Sequence, residues 1–268
     1  MKIWFAKGDF ETSSIIIKGV PLESTTQFLK GTWFAPQRIR EAAETLESYS
    51  FIFQKSLKKE EICDDGDMNF PENWDMDFSL KEIEKYASWV VEKEKKPIFL
   101  GGEHTLTLGV IKGIVKKFRN LMVISIDAHA DLKKRSEKNE FLSHATVMRR
   151  IMEEIGEKNI YLWGVRTLSG ASEEKIFKKI RKNRLKKKVP VYLSIDVDVI
   201  DPGLLSGVTA PEPGGISYRE LMNFFKGLEG YKIVGGDICE FNPLVSSLSE
   251  ASQVAGILRE LIALIQEP

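Results

Sequence analysis

The chain has 268 residues, 43% of them apolar, which is enough to bury the core of a large α/β domain and too many for a disordered segment. Lysine plus arginine and aspartate plus glutamate both number 39, so no summed field draws the chain to nucleic acid or an anionic membrane, and a small-molecule substrate is expected. No apolar run approaches the roughly 20 residues of a bilayer span; with no signal peptide read at the N-terminus, Cys63 and Cys239 are expected as free thiols in a reducing cytoplasm.

In chain order, β-branched or apolar runs predict strands over Ser14 to Val20, Pro97 to Leu100, Leu121 to Ile126, Ile160 to Val165, Val189 to Ile195 and Lys232 to Val234. Helical spacing of apolar residues falls between them, over Ser79 to Glu94, Thr105 to Phe118, Ala145 to Ile155 and Tyr218 to Leu228, and again over the amphipathic tail from Ser246 to Ile265. The lysine-rich stretch Lys175 to Lys188 reads as a solvated helix face. Alternating strands and helices predict an α/β fold, a mostly parallel sheet covered by helices on both faces. With no linker, repeat or composition break, residues 1–268 read as one domain.

Ligands of parallel α/β sheets bind beyond the carboxyl ends of the strands, and polar residues collect there. The run ending at Leu100 leads into Gly101-Gly102-Glu103-His104, and the run ending at Ile126 into Asp127-Ala128-His129-Ala130-Asp131. The run ending at Ile195 leads into Asp196-Val197-Asp198, and the run ending at Val234 into Gly235 to Pro243, with Asp237 and Glu240. Spacing by two in extended chain turns Asp127, His129 and Asp131 to one side, and Asp196 with Asp198 likewise. Carboxylates buried this closely require cations. Imidazole mixed with carboxylate suits a divalent transition ion, and the oxygen-rich set leans to manganese over zinc. Four aspartates balance two divalent ions, which would acidify a shared water and so suit hydrolysis. All three histidines, His104, His129 and His144, lie beside or shortly after these acids.

These motifs, with Ser143-His144-Ala145-Thr146, the run Ser194 to Pro202, Glu240-Phe241-Asn242-Pro243 and weaker similarity at Gly19-Val20-Pro21 and Gly31 to Ala42, resemble the ureohydrolase (arginase/agmatinase) family. The resemblance implies a three-layer αβα arginase/deacetylase-like fold and two Mn2+ per subunit. One ion would be held by His104, Asp127, Asp131 and Asp196, the other by Asp127, His129, Asp196 and Asp198. It further implies His144 as proton shuttle, Asp131 as the residue orienting the water nucleophile, Glu240 as the acid that pairs with a substrate guanidinium, and a homo-oligomer, trimer or hexamer.

Thr167-Leu168-Ser169 stands where arginases carry an acidic pair for the substrate α-amino group, and Pro211-Glu212-Pro213-Gly214-Gly215 is similar to the agmatinase motif. Agmatine, cleaved to putrescine and urea, is therefore the expected substrate. Arginine, guanidinobutyrate, aminopropylagmatine and formiminoglutamate are the alternatives, the last because Lys133-Lys134-Arg135 follows the Asp131 motif. The solvated reading of that loop leaves Glu137 and Glu140 to face the site. A single-zinc deacetylase and an inert binding protein are the competing classes.

Overall fold

The computed structural model describes residues 1–26, 28–70 and 75–266. In chain order its elements are β1 (Ile15–Val20), α1 (Ala35–Ala43), β2 (Tyr49–Ser50), β3 (Lys55–Ser56), β4 (Ile62–Asp67), α2 (Met76–Glu92), β5 (Lys96–Gly101) and α3 (Leu106–Ile114). There follow β6 (Met122–Ile126), α4 (Val147–Ile155), β7 (Ile160–Trp163), α5 (Ala171–Ile180), β8 (Pro190–Asp196), α6 (Tyr218–Gly227), β9 (Lys232–Cys239) and α7 (Leu248–Ile265).

Seven strands form one sheet in the order β4-β1-β5-β9-β8-β6-β7, every pair parallel, with β2 and β3 a separate antiparallel hairpin. Alternate residues of each strand feed two apolar layers. Ile98, Leu100, Ile124 and Leu193 pack with α1, α6 and α7, while Phe99, Val123 and Tyr192 pack with α2, α3, α4 and Ile180 of α5. The predicted three layers are present, and burial on both faces explains why β6 and β8 are buried at every position.

The chain leaves β5, passes through α3 and enters β6 three positions away; β9 and β8 fill the two places between them later. The carboxyl ends of β5, β9, β8 and β6 therefore stand side by side, bringing four sequence-distant motifs to one crevice.

Several elements depart from expectation: the β2–β3 hairpin was not predicted, the helix read over Lys175 to Lys188 ends at Ile180, and β4, α1 and β9 also differ. β4 escapes a hydrophobic search because its second half is Asp64-Asp65-Gly66-Asp67; Arg40 of α1 holds Asp64 through two nitrogens and also reaches Asp67, and Lys18 pairs with Asp65. α1 has Pro36 in its first turn, where a missing N–H costs nothing. β9 runs on through Gly235 and Gly236 to Cys239, so Asp237 lies inside a strand. A Cβ at Gly235 would sit 2.6 Å from the Pro97 carbonyl oxygen, so glycine there permits close strand approach.

Gly102, between β5 and the site, packs on the segment after β1: a Cβ would lie 2.1 Å from the Leu22 carbonyl oxygen. Gly102→Ala is expected to lower unfolding free energy by about 1–3 kcal/mol. Gly227→Ala, at a helical position with nothing within 4 Å, should leave it unchanged or slightly raised. Denaturant melts of the two variants check this, and equal stabilities would contradict the packing argument.

Candidate metal centre

Asp127, Asp196 and His104 stand at or just beyond strand ends, and His129, Asp131 and Asp198 follow them in the adjoining turns. Asp127 follows β6 and donates its N–H to the Trp163 carbonyl, Asp196 ends β8, and His104 follows the Gly101-Gly102 turn from β5. One oxygen of three carboxylates is then pinned by a nearby amide. His129 N–H donates to Asp127 Oδ1 at 2.6 Å, Asp198 N–H to Asp196 Oδ1 at 2.9 Å, and Ala128 N–H to Asp198 Oδ1 at 3.0 Å. The second oxygens turn inward. Those of Asp131, Asp127 and Asp196 lie 3.1, 3.3 and 3.7 Å from His104 Nδ1, and Asp198 Oδ2 lies 2.7 Å from His129 Nδ1.

Asp127 Oδ2 is buried and has no hydrogen-bond partner among the described residues. A buried carboxylate oxygen beside an imidazole and without a hydrogen-bond donor is suited to a cation. Three donor groups among the described residues could hold an ion: His104 with Asp237 and Cys239, on the side of His104 that Ser194 occupies, and, facing the cluster, His104 with Asp127 and Asp196 and Asp127 with His129 and Asp198, the last two sharing Asp127. Asp131, through its 3.1 Å approach to His104 Nδ1, borders the set of His104, Asp127 and Asp196.

The far side of His104 fixes which nitrogen faces the cluster. Its Nε2 lies 2.8 Å from Ser194 Oγ, and Ser194 donates to Asp237 Oδ1 at 2.8 Å. With its only proton on Asp237, Ser194 accepts from His104 Nε2–H, so it is Nδ1 that faces the cluster and offers its lone pair whenever the ring is neutral. Asp237 also accepts from Tyr192 and Thr107, so the support is itself anchored. The link was not legible in the sequence, where Ser194 reads as an ordinary strand residue and Asp237 as one of the polar residues beyond a strand end, with nothing to join them to His104. Arg166 does similar work for the neighbouring turn, donating to the carbonyls of Asp198, Val199, Glu212 and Pro213.

Titration behaviour of the bare protein reports a shortage of positive charge. Burial pushes the Asp131, Asp196 and Asp198 carboxyls up, and neighbouring carboxylates push them further, Asp196 most. Burial alone would make the histidines less basic, yet the adjacent Asp127 carboxylate outweighs it, with Asp131 adding to it at His104 and Asp198 at His129. His104 is raised well above its usual range and His129 to about 12. Burial also raises Asp127, but the proximity of His104 and His129 wins and holds it low.

The cluster floors a cavity of about 240 Å³, with His129, Asp131, Asp196 and Asp198 facing it and Glu240 and His144 among its lining residues. Glu240, after β9, accepts from His104 N–H at 2.7 Å and from Thr209 Oγ1 at 2.6 Å, leaving one lone pair free on each oxygen. Asp131 and Glu240 both adopt left-handed backbone, φ 50° and 63°. All predicted site residues converge on this crevice.

The wall carries Thr167, Leu168, Ser169, Lys133, Glu137, Glu173 and Glu212. Of the basic loop, Lys133 faces the cavity and pairs with Glu137, whereas Arg135 bonds the Asn139 carbonyl; Glu140 is turned to Ser136, so of the two loop glutamates only Glu137 lines the cavity. Glu173 is committed to the Leu132 and Ser169 amides.

Comparison with known proteins places this arrangement. The profile of the Arginase family matches residues 13–184 and 171–263. The agmatinase of Bacillus cereus is 34% identical over 271 residues, covering 94% of this chain and 92% of the relative. A chloroplastic/mitochondrial arginase 2 of Arabidopsis thaliana is 32% identical, covering 91% and 78%. The crystal structure of agmatine ureohydrolase of Thermoplasma volcanium superposes with a TM-score of 0.87 at 30% identity, covering 98% of this chain and 94% of that one. The chain belongs to the arginase family of ureohydrolases.

Proposed function

We propose that the protein hydrolyses agmatine to putrescine and urea at a dinuclear manganese site. The observation that carries this reading is the pairing of a cation-deficient carboxylate cluster with a free carboxylate fork, Glu240, on one cavity. Two divalent ions, held by His104, Asp127, Asp131 and Asp196 and by Asp127, His129, Asp196 and Asp198, would supply Lewis-acid activation of the attacking water.

The chain's own residues do the rest. A planar guanidinium fits the two inward lone pairs of Glu240 through parallel N–H···O bonds, which sets its carbon above the cluster. Asp131, 9% exposed at the cavity floor, accepts a hydrogen bond from the water and aims it. His144 delivers a proton to the departing amine as the C–N bond breaks, so water and agmatine give urea and putrescine with atoms conserved.

Selection among guanidino compounds falls to the wall. Arginine adds an α-amino and an α-carboxylate group, and Thr167-Leu168-Ser169 offers no charge to the first. The Lys133 ammonium is neutralised by Glu137 and does not attract the second, nor the carboxylate of formiminoglutamate. Glu212 is the wall carboxylate held by no lysine, arginine or amide among the described residues, its nearest cationic group being His129 Nε2 at 3.9 Å, and it suits a distal ammonium.

Urea release by manganese-loaded protein should be at least about tenfold faster, as kcat/KM, for agmatine than for arginine or guanidinobutyrate, reflecting a misplaced charge worth about 1.4 kcal/mol or more. Faster arginine turnover, or formamide release from formiminoglutamate, would overturn the assignment of substrate. His144→Ala should retain metal and lower kcat by about 10²- to 10⁴-fold, whereas Asp127→Ala should lose metal and activity together. Elemental analysis beside kinetics separates the two; unchanged turnover in His144→Ala removes it from proton transfer.

A further inference from the structure

Glu103 is fully buried, yet it faces away from the cluster that its neighbour His104 serves. Its Oε2 accepts from the backbone N–H groups of Ser24 and Thr25 at 2.7 and 2.6 Å and of Thr26 at 3.2 Å. Its Oε1 accepts from the hydroxyls of Thr25 at 2.8 Å and Thr105 at 2.7 Å. The carboxylate thus gathers the segment after β1 into a fixed loop on the end of β5.

The Thr25 hydroxyl, buried, then touches His144 twice: His144 N–H donates to Oγ1 at 3.2 Å, and His144 Nδ1 lies 3.1 Å from the same oxygen. Proton bookkeeping leaves one solution. If Thr25 gave its hydrogen to Nδ1, its oxygen would face Glu103 Oε1 at 2.8 Å with lone pair against lone pair. The charged acceptor also makes the stronger bond. Thr25 therefore donates to Glu103, and its two lone pairs accept from His144 N–H and from Nδ1–H. In the neutral ring Nε2 is then the nitrogen that carries the lone pair; it has no partner among the described residues, on a side chain that lines the cavity.

We propose that Thr25 and Glu103 are positioning residues for His144: they hold its neutral ring as the Nδ1–H tautomer and present the Nε2 lone pair to the substrate. This deepens, and rests on, the reading of His144 as the proton-transfer group. A histidine ring free in water prefers the opposite tautomer, so the hydroxyl decides which nitrogen can take up the proton that later goes to the leaving amine. The Ser143–Thr146 capping box fixes the backbone around His144, so the ring is set from both sides.

The test is 15N-histidine NMR of protein loaded with diamagnetic Zn2+, with kinetics of the manganese form, on wild type, Thr25→Val and Thr25→Ser. Only three histidines are present, and His144→Ala assigns the signal. Wild type should show the Nδ1–H pattern at His144. Thr25→Val, which keeps shape and removes the hydroxyl, should shift it toward Nε2–H and lower kcat about 10- to 100-fold, with KM within about twofold and metal content unchanged. Thr25→Ser should restore both tautomer and kcat. An Nδ1–H signal persisting in Thr25→Val, or a kcat loss that serine does not rescue, overturns the proposal. Failure of wild type to release urea from agmatine would count against the proposed substrate alone, because the tautomer is read without turnover.

Discussion

Four aspartates packed at the ends of adjacent buried strands form the constraint around which this protein is organised. Left alone, each would cost several kcal/mol in desolvation and mutual repulsion. Asp127, Asp131, Asp196 and Asp198 nevertheless turn one oxygen each toward His104 or His129, while local amides hold the other oxygen of Asp127, Asp196 and Asp198. Such preorganised repulsion makes sense as a cation trap, and the elevated basicity of both histidines is the protein's own partial answer when protons are the available cations.

Holding that geometry requires supports that never touch substrate. Ser194 and Asp237 choose the nitrogen that His104 offers, Arg166 staples the turn carrying Asp198 to the loop carrying Glu212, and Glu103 anchors the segment that faces His144. Asp131 and Glu240 sit in left-handed backbone at about 1–3 kcal/mol each. The close-packed parallel sheet supplies the stability that offsets this, and the strain places both carboxylates at the cavity.

The carboxylates and histidines of the cluster were legible in the sequence because polar residues at period two, directly after fully apolar strands, have few structural uses. The layered parallel class followed from the alternation of strands and helices, whereas strand order did not. β4 was hidden because three aspartates obscure its pattern, and only Arg40 and Lys18, distant in sequence, make those charges tolerable. β9 appeared short because Gly235 and Gly236 read as loop until close contact with β5 is seen. Lys133 could not be distinguished from its basic neighbours by type; its pairing with Glu137 sets it apart. Thr25, Glu103 and His144 lie in three separate segments, and no local spacing announces that they meet.

The account stands or falls on the cation requirement of the aspartate cluster. Calorimetric titration of metal-free protein with Mn2+, repeated between pH 6 and 8, tests it most directly. Two ions per chain are predicted, with protons released on binding and apparent affinity rising with pH, because His129, held protonated to about 12 in the bare cluster, must become neutral to act as a ligand. One ion per chain, or an affinity indifferent to pH, would contradict it.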